Sequence, residues 1–138
     1  MNETLILTIS VLIVISVLFL LAALNSKAVS GKKKANIYSK LGDLKGLAES
    51  EEGAIRRDTY VKLDNLLSKA LQYRYGNNKS CGENLKTAKK IFRGKEYQDV
   101  WDVHKIRNKI VHNDLEVSRE EAIHAYKIYK MSISKILR

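Results

Sequence analysis

Tyr97–Asn113 reads YQDVWDVHKIRNKIVHN. Stepped at 100° per residue, it is a helix with three faces instead of two. Val100, Val103, Ile106, Ile110 and Val111 fall on one apolar arc, and Asp102, Lys105 and Lys109 on a solvated edge. A third stripe holds Tyr97, Trp101, His104, Asn108 and His112 at near i, i+4 steps. Arg107 falls inside the apolar arc, between Val100, Val103, Ile110 and Val111. A guanidinium on an apolar face is strongly unfavourable unless something pairs with it.

The sequence on both sides also reads as helix. The 138 residues include no proline and only seven glycines, so little interrupts long helices and an all-α chain is expected. Gly53 to Tyr75 carries Ile55, Tyr60, Leu63, Leu66, Leu67, Ala70, Leu71 and Tyr73 on one broad arc, and Gly76-Asn77-Asn78 ends it. Ser80 and Glu83 have the spacing of a capping box, opening a short helix through Leu85, Ala88, Ile91 and Phe92. Ser118 and Glu121 repeat that spacing before a last helix with Ala122, Ile123, Tyr126, Tyr129, Ile133, Ile136 and Leu137 on one arc. Short loops between these four stretches predict an antiparallel bundle over 53–138.

Leu5 to Leu24 is twenty residues without a charge, long enough as a helix to cross a hydrocarbon core of about 30 Å. A cleaved signal peptide is the competing reading, with Ala22 and Ala23 near a cleavage site. The preceding MNET has no basic side chain and the apolar run exceeds a usual signal core, which favours a single-pass anchor over 5–24. Glu3 lies on one side and Lys27, Lys32, Lys33 and Lys34 on the other. The positive-inside rule then predicts a plasma-membrane protein with its N-terminus outside and its C-terminal domain in the cytoplasm. Residues 25–52 read as a basic juxtamembrane linker. Over Asn36 to Ser50 the triplet-spaced Leu41, Leu44 and Leu47, interrupted by Gly42 and Gly46, leave open a loose helix or a connector. The lysines at 32–34 are either the topology signal or a contact with anionic lipid, the first being the simpler reading.

All 25 Lys and Arg lie after residue 26, against 14 Asp and Glu there, a surplus of 11 that favours contact with phosphate of nucleic acid or lipid. The lone Cys81 excludes an internal disulfide and a cysteine zinc cluster. There is no glycine-rich phosphate loop, no His-Glu-x-x-His and no triad-like serine or cysteine, and no metal or cofactor is expected.

The remaining chemistry sits in Arg107-Asn108-Lys109-Ile110-Val111-His112. An Arg, a polar residue, three more and then His near a helix end is similar to the motif of the HEPN superfamily. Its members are small helical bundles, many of them metal-independent ribonucleases of toxin–antitoxin, phage-defence and RNA-processing systems. The resemblance covers about Ala54 to Leu137; the motif is its specific part and the first two helices are generic. Spacing alone is weak, since Arg119 and His124 repeat it at a helix start, with Glu120 after the Arg. What separates Arg107–His112 is the conjunction with Asn108, the three-faced helix and a bundle of fitting size.

The resemblance implies a four-helix HEPN-like bundle, a homodimer along this helix, and a composite RNA-cleaving site. Arg107 would hold the scissile phosphate, His112 would move protons, and Asn108 and His104 would support them. Arg107 and His112 lie about 140° apart on one helix, so a single copy is a poor catalytic pair. The resemblance also leaves room for a catalytically silent module that binds RNA, a protein partner or an antitoxin at the membrane. A blander alternative pairs Arg107 with a buried carboxylate, Asp64 or Asp99, serving only the fold. A still plainer one makes the bundle an oligomerisation domain.

Overall fold

The computed structural model describes residues 2–25 and 28–138. Among them there are six α-helices and no strand: α1 (Glu3–Asn25), α2 (Gly31–Ala48), α3 (Gly53–Tyr75), α4 (Cys81–Thr87), α5 (Glu96–Asn113) and α6 (Arg119–Ile136). A 3-10 turn, Ala88–Ile91, follows α4.

Helix α1 is long and apolar enough to cross a membrane, and none of its spanning window is buried by protein. Within Leu5–Leu24 its three hydroxyls bond back into its own ladder, Thr8 to Leu5 O at 2.9 Å, Ser10 to Ile6 O and Ser16 to Leu12 O at 2.8 Å each. A helix that meets its own polar groups this way suits a solvent that offers no hydrogen bonds.

The other helices share one core, with α3 at its centre, packed against α2, α4, α5 and α6. Tyr60, Leu63, Leu67 and Leu71 of α3 are fully buried, and Tyr60 meets Tyr129 of α6 edge-to-face at 5.8 Å. Both expected capping boxes are present, at Ser80–Glu83 and Ser118–Glu121.

Of the loose helix and the connector left open over Asn36 to Ser50, the structure has a helix, α2, and it begins earlier, at Gly31. From Gly31 to Ala48 it is regular, capped by Ser30 accepting from Lys33 N at 3.3 Å, and it packs on α3 and α6. Its buried residues are Ile37, Leu41, Leu44 and Ala48, whereas Leu47 faces out at 40 % exposure. Read from Ile37 the spacing is 4, 3 and 4, a helical stripe; the triplet Leu41, Leu44, Leu47 hid it. Gly42 and Gly46 lie on the outer side, where an added Cβ would meet nothing. Gly42→Ala is therefore expected to raise stability by about 0.5–1 kcal/mol. Gly76 is the opposite case: it closes α3 at φ +60°, its N–H donating to Gln72 O, also with open space around a would-be Cβ. Gly76→Ala is expected to lower stability by about 1 kcal/mol through backbone strain alone. Thermal unfolding of the two variants should move the midpoint in opposite directions.

The bundle has two poles. At one, α2 begins, α3 and α6 end and α5 begins: Arg74 donates to Ile136 O at 2.7 Å, and Lys135 pairs with Glu96 at 2.6 Å. At the other, α3 and α6 begin and α2 and α5 end. There Arg56 donates to Val117 O at 2.8 Å, and Arg57 pairs with Glu116 at 2.6 Å and Asp114 at 3.2 Å. Arg119 donates to Glu49 O at 2.9 Å. Helix α5 thus runs the height of the bundle, about 25 Å, and delivers the Arg107–His112 segment toward the second pole.

Candidate functional site

Arg107 is not the only charge set among apolar neighbours. Asp64 lies on the inner stripe of α3 between Leu63 and Leu67 and is 2 % exposed. The two anomalies face each other: Arg107 Nε lies 3.5 Å from Asp64 Oδ2. Of the two carboxylates considered as partners, Asp64 takes this place; Asp99 lies 3.7 Å from Lys95 instead.

Asp64 is the node of a network joining three helices. Its Oδ1 lies 2.9 Å from His104 Nδ1 on α5 and accepts from the Tyr129 hydroxyl on α6 at 3.0 Å. With Asp64 as the carboxylate, the proton of that His104 contact sits on Nδ1. His104 is buried, and its ring meets Trp101 edge-to-face at 5.8 Å; Trp101 in turn meets Tyr97 at 6.3 Å. Tyr97, Trp101 and His104 of the third stripe therefore form a packed ladder along α5. Burial pushes the Tyr129 hydroxyl well above the usual phenol range, and the Asp64 charge pushes it further, so it stays a donor. Burial, then Asp64, likewise raises the Cys81 thiol, with Arg107 pulling the other way. Cys81 is thus an inert thiol.

Asp64, Cys81 and His104 place one donor atom each within 4.8 Å of one another. These residues do not fit a metal ion well. Asp64 Oδ1 already serves two hydrogen bonds, the thiol resists deprotonation, and the Arg107 guanidinium faces the same carboxylate.

Arg107 is half-buried, its side chain 26 % exposed. Its Nε is buried without a hydrogen bond, the 3.5 Å to Asp64 being too long for one, while Nη1 donates to Asn108 Oδ1 at 3.1 Å. The guanidinium is thus held from within by Asp64 and beside by Asn108, with part of its surface open. His112 lies in the last turn of α5, exposed, and makes no hydrogen bond or ion pair among the described residues. A base suits that turn, where the helix dipole favours positive charge. His124, the member of the repeated spacing, is exposed on α6.

Val111 departs from its expected place on the buried arc. It is 49 % exposed, and Leu115 just beyond the helix is 39 % exposed. Val111 sits at the arc's edge in the last turn of α5, while Val100, Val103 and Ile110 are buried. Two exposed apolar side chains, Val111 and Leu115, thus flank His112 in the sequence. Helix α5 closes on Asp114 in the left-handed region, φ 51°, held by its ion pair with Arg57.

Nothing in the sequence marks Tyr129 as a member of the network or Cys81 as its neighbour. Both look like ordinary core positions, and only tertiary packing brings them to Asp64. Asp64 itself is legible only as one of two candidate partners for Arg107. Compared with protein families, curated proteins and solved structures, the chain finds no match.

Proposed function

We propose that this chain is a membrane-anchored HEPN-like ribonuclease that cuts cytoplasmic RNA without a metal, at a site completed by a second copy. In this reading α1 crosses the plasma membrane with its N-terminus outside. The observation that carries the proposal is the end of α5: an oriented, partly open guanidinium and an exposed, unbonded imidazole, with Val111 and Leu115 exposed on either side of it in the sequence. Two such surfaces brought together bury Val111 and Leu115 and collect two Arg107 and two His112 in one cleft.

The chemistry follows from side-chain properties. Arg107 contacts the non-bridging oxygens of the scissile phosphate and stabilises the charge that gathers there. One His112 takes the proton of the ribose 2′-OH as that oxygen attacks phosphorus; the other protonates the departing O5′. The products are a 2′,3′-cyclic phosphate and a free 5′-hydroxyl.

A second reading has its own observation. Arg107 faces Asp64 and bonds Asn108, which is enough to account for it as a structural residue. The chain would then be a silent HEPN-like module that binds RNA or a protein partner at the membrane.

Val111→Asp separates the two readings. Val111 is half exposed, so the change should leave thermal stability within about 0.5 kcal/mol of the parent. The composite site requires the full-length detergent-solubilised protein to fall from dimer to monomer by light scattering and to lose RNA cleavage in EDTA. A variant that is monomeric and as active as the parent would sink the composite site.

A further inference from the structure

Lysines 33 and 69 converge on one aromatic ring at the pole where α2 begins. Lys33 Nζ lies 4.7 Å from the centre of the Tyr73 ring and Lys69 Nζ 5.2 Å from it. Neither lysine has a carboxylate partner among the described residues. Together with Gln72, Asn77 and Asn78 they line a polar cleft of about 260 Å³. The cleft is held in shape by its loop: Gln72 Nε2 donates to Lys79 O at 3.1 Å, and Asn77 exchanges two 2.9 Å bonds with Asn84. Two ammonium groups brought together without a counter-charge make a seat for an anion.

The charge of the whole bundle points the same way. Residues 28–35, 69–80, 93–99 and 135–138, at this pole, contain ten Lys and Arg against two carboxylates, Glu96, which pairs with Lys135, and Asp99, which lies beside Lys95. At the opposite pole, residues 49–57 and 114–121 contain seven carboxylates and three arginines. Only residues 26–30 separate α1 from α2, so the basic pole lies within about 20 Å of the end of α1.

We infer that the basic pole docks on anionic lipid headgroups, with a lipid phosphate seated between Lys33 and Lys69 over Tyr73. The tether supplies a high local concentration of headgroups, and the acidic far pole is turned away from a negative surface. Helix α5 then carries Arg107 and His112 to the side facing away from the bilayer. This inference rests on α1 lying in a membrane, and not on RNA cleavage.

The test is hydrogen exchange of the full chain in nanodiscs of phosphatidylcholine alone, or with phosphatidylglycerol at about three to one. Docking predicts exchange of the amides over 72–79 slowed at least about tenfold in the anionic discs, with 114–118 unchanged. The protection should vanish in Lys33→Gln/Lys69→Gln, whose folding is checked by its melting temperature. Equal exchange in both discs, or protection that survives the double substitution, overturns the docking. Equal protection in neutral discs on adding glycerol 3-phosphate would assign the cleft to a soluble phosphate ester and also overturn it. A chain that co-elutes with neither disc refutes the anchor, and the docking falls with it.

Discussion

Replacing Asp64 by asparagine is expected to cost about 3 kcal/mol of folding stability, the lower end of what breaking a buried ion pair costs. The shape is kept and one charge removed. Arg107 Nε, already without a hydrogen bond, then faces no counter-charge. His104 Nδ1 and the Tyr129 hydroxyl also lose the ionised oxygen they share. The lower end applies because a quarter of the Arg107 side chain is exposed and can recover water. At about 4–8 °C per kcal/mol for a bundle of this size, the melting temperature should fall on the order of 15 °C. Arg107→Ala should cost less, about 1–2 kcal/mol, since Asp64 keeps two hydrogen bonds. The double variant should cost less than the sum of the singles, because the two residues interact. A change below about 0.5 kcal/mol in Asp64→Asn would mean the network does not hold α3, α5 and α6 together.

The second large effect concerns activity. His112→Ala is expected to reduce RNA cleavage at least about 100-fold, the usual contribution of a positioned acid or base. Its melting temperature should stay where it is, because the imidazole is exposed and unbonded. Arg107→Ala should reduce cleavage about 100- to 1000-fold, the scale of removing a group that stabilises transition-state charge. Arg107→Lys keeps the charge but loses the planar fork, and should recover only part of that loss. If Arg107 serves the fold alone, Arg107→Ala changes stability and His112→Ala changes nothing. A His112→Ala protein that cuts RNA at the parental rate would remove this histidine from the mechanism.

Much of this fold is legible from side-chain spacing. The apolar N-terminal run, the arcs of α3 and α6, the two capping boxes and the three-faced α5 are local patterns, and local patterns survive folding. Helix α2 was obscured because Gly42 and Gly46 weaken its propensity while its stability comes from burying Ile37, Leu41, Leu44 and Ala48. Arg107 announces itself by standing on an apolar arc, while Asp64 enters only as one of two candidate partners for it. Periodicity shows Arg107 as an anomaly; choosing Asp64 over Asp99 as its partner takes tertiary structure. Val111 shows the opposite limit, since a wheel gives its direction and not where the neighbouring helices stop covering it.

The most direct measurement is incubation of the full-length chain with single-stranded RNA in EDTA, followed by analysis of the new ends. Cleavage at the composite site would leave 2′,3′-cyclic phosphates and 5′-hydroxyls, formed without metal and lost in His112→Ala. RNA that stays intact, bound or unbound, or cleavage that requires magnesium and leaves 5′-phosphates, would contradict it.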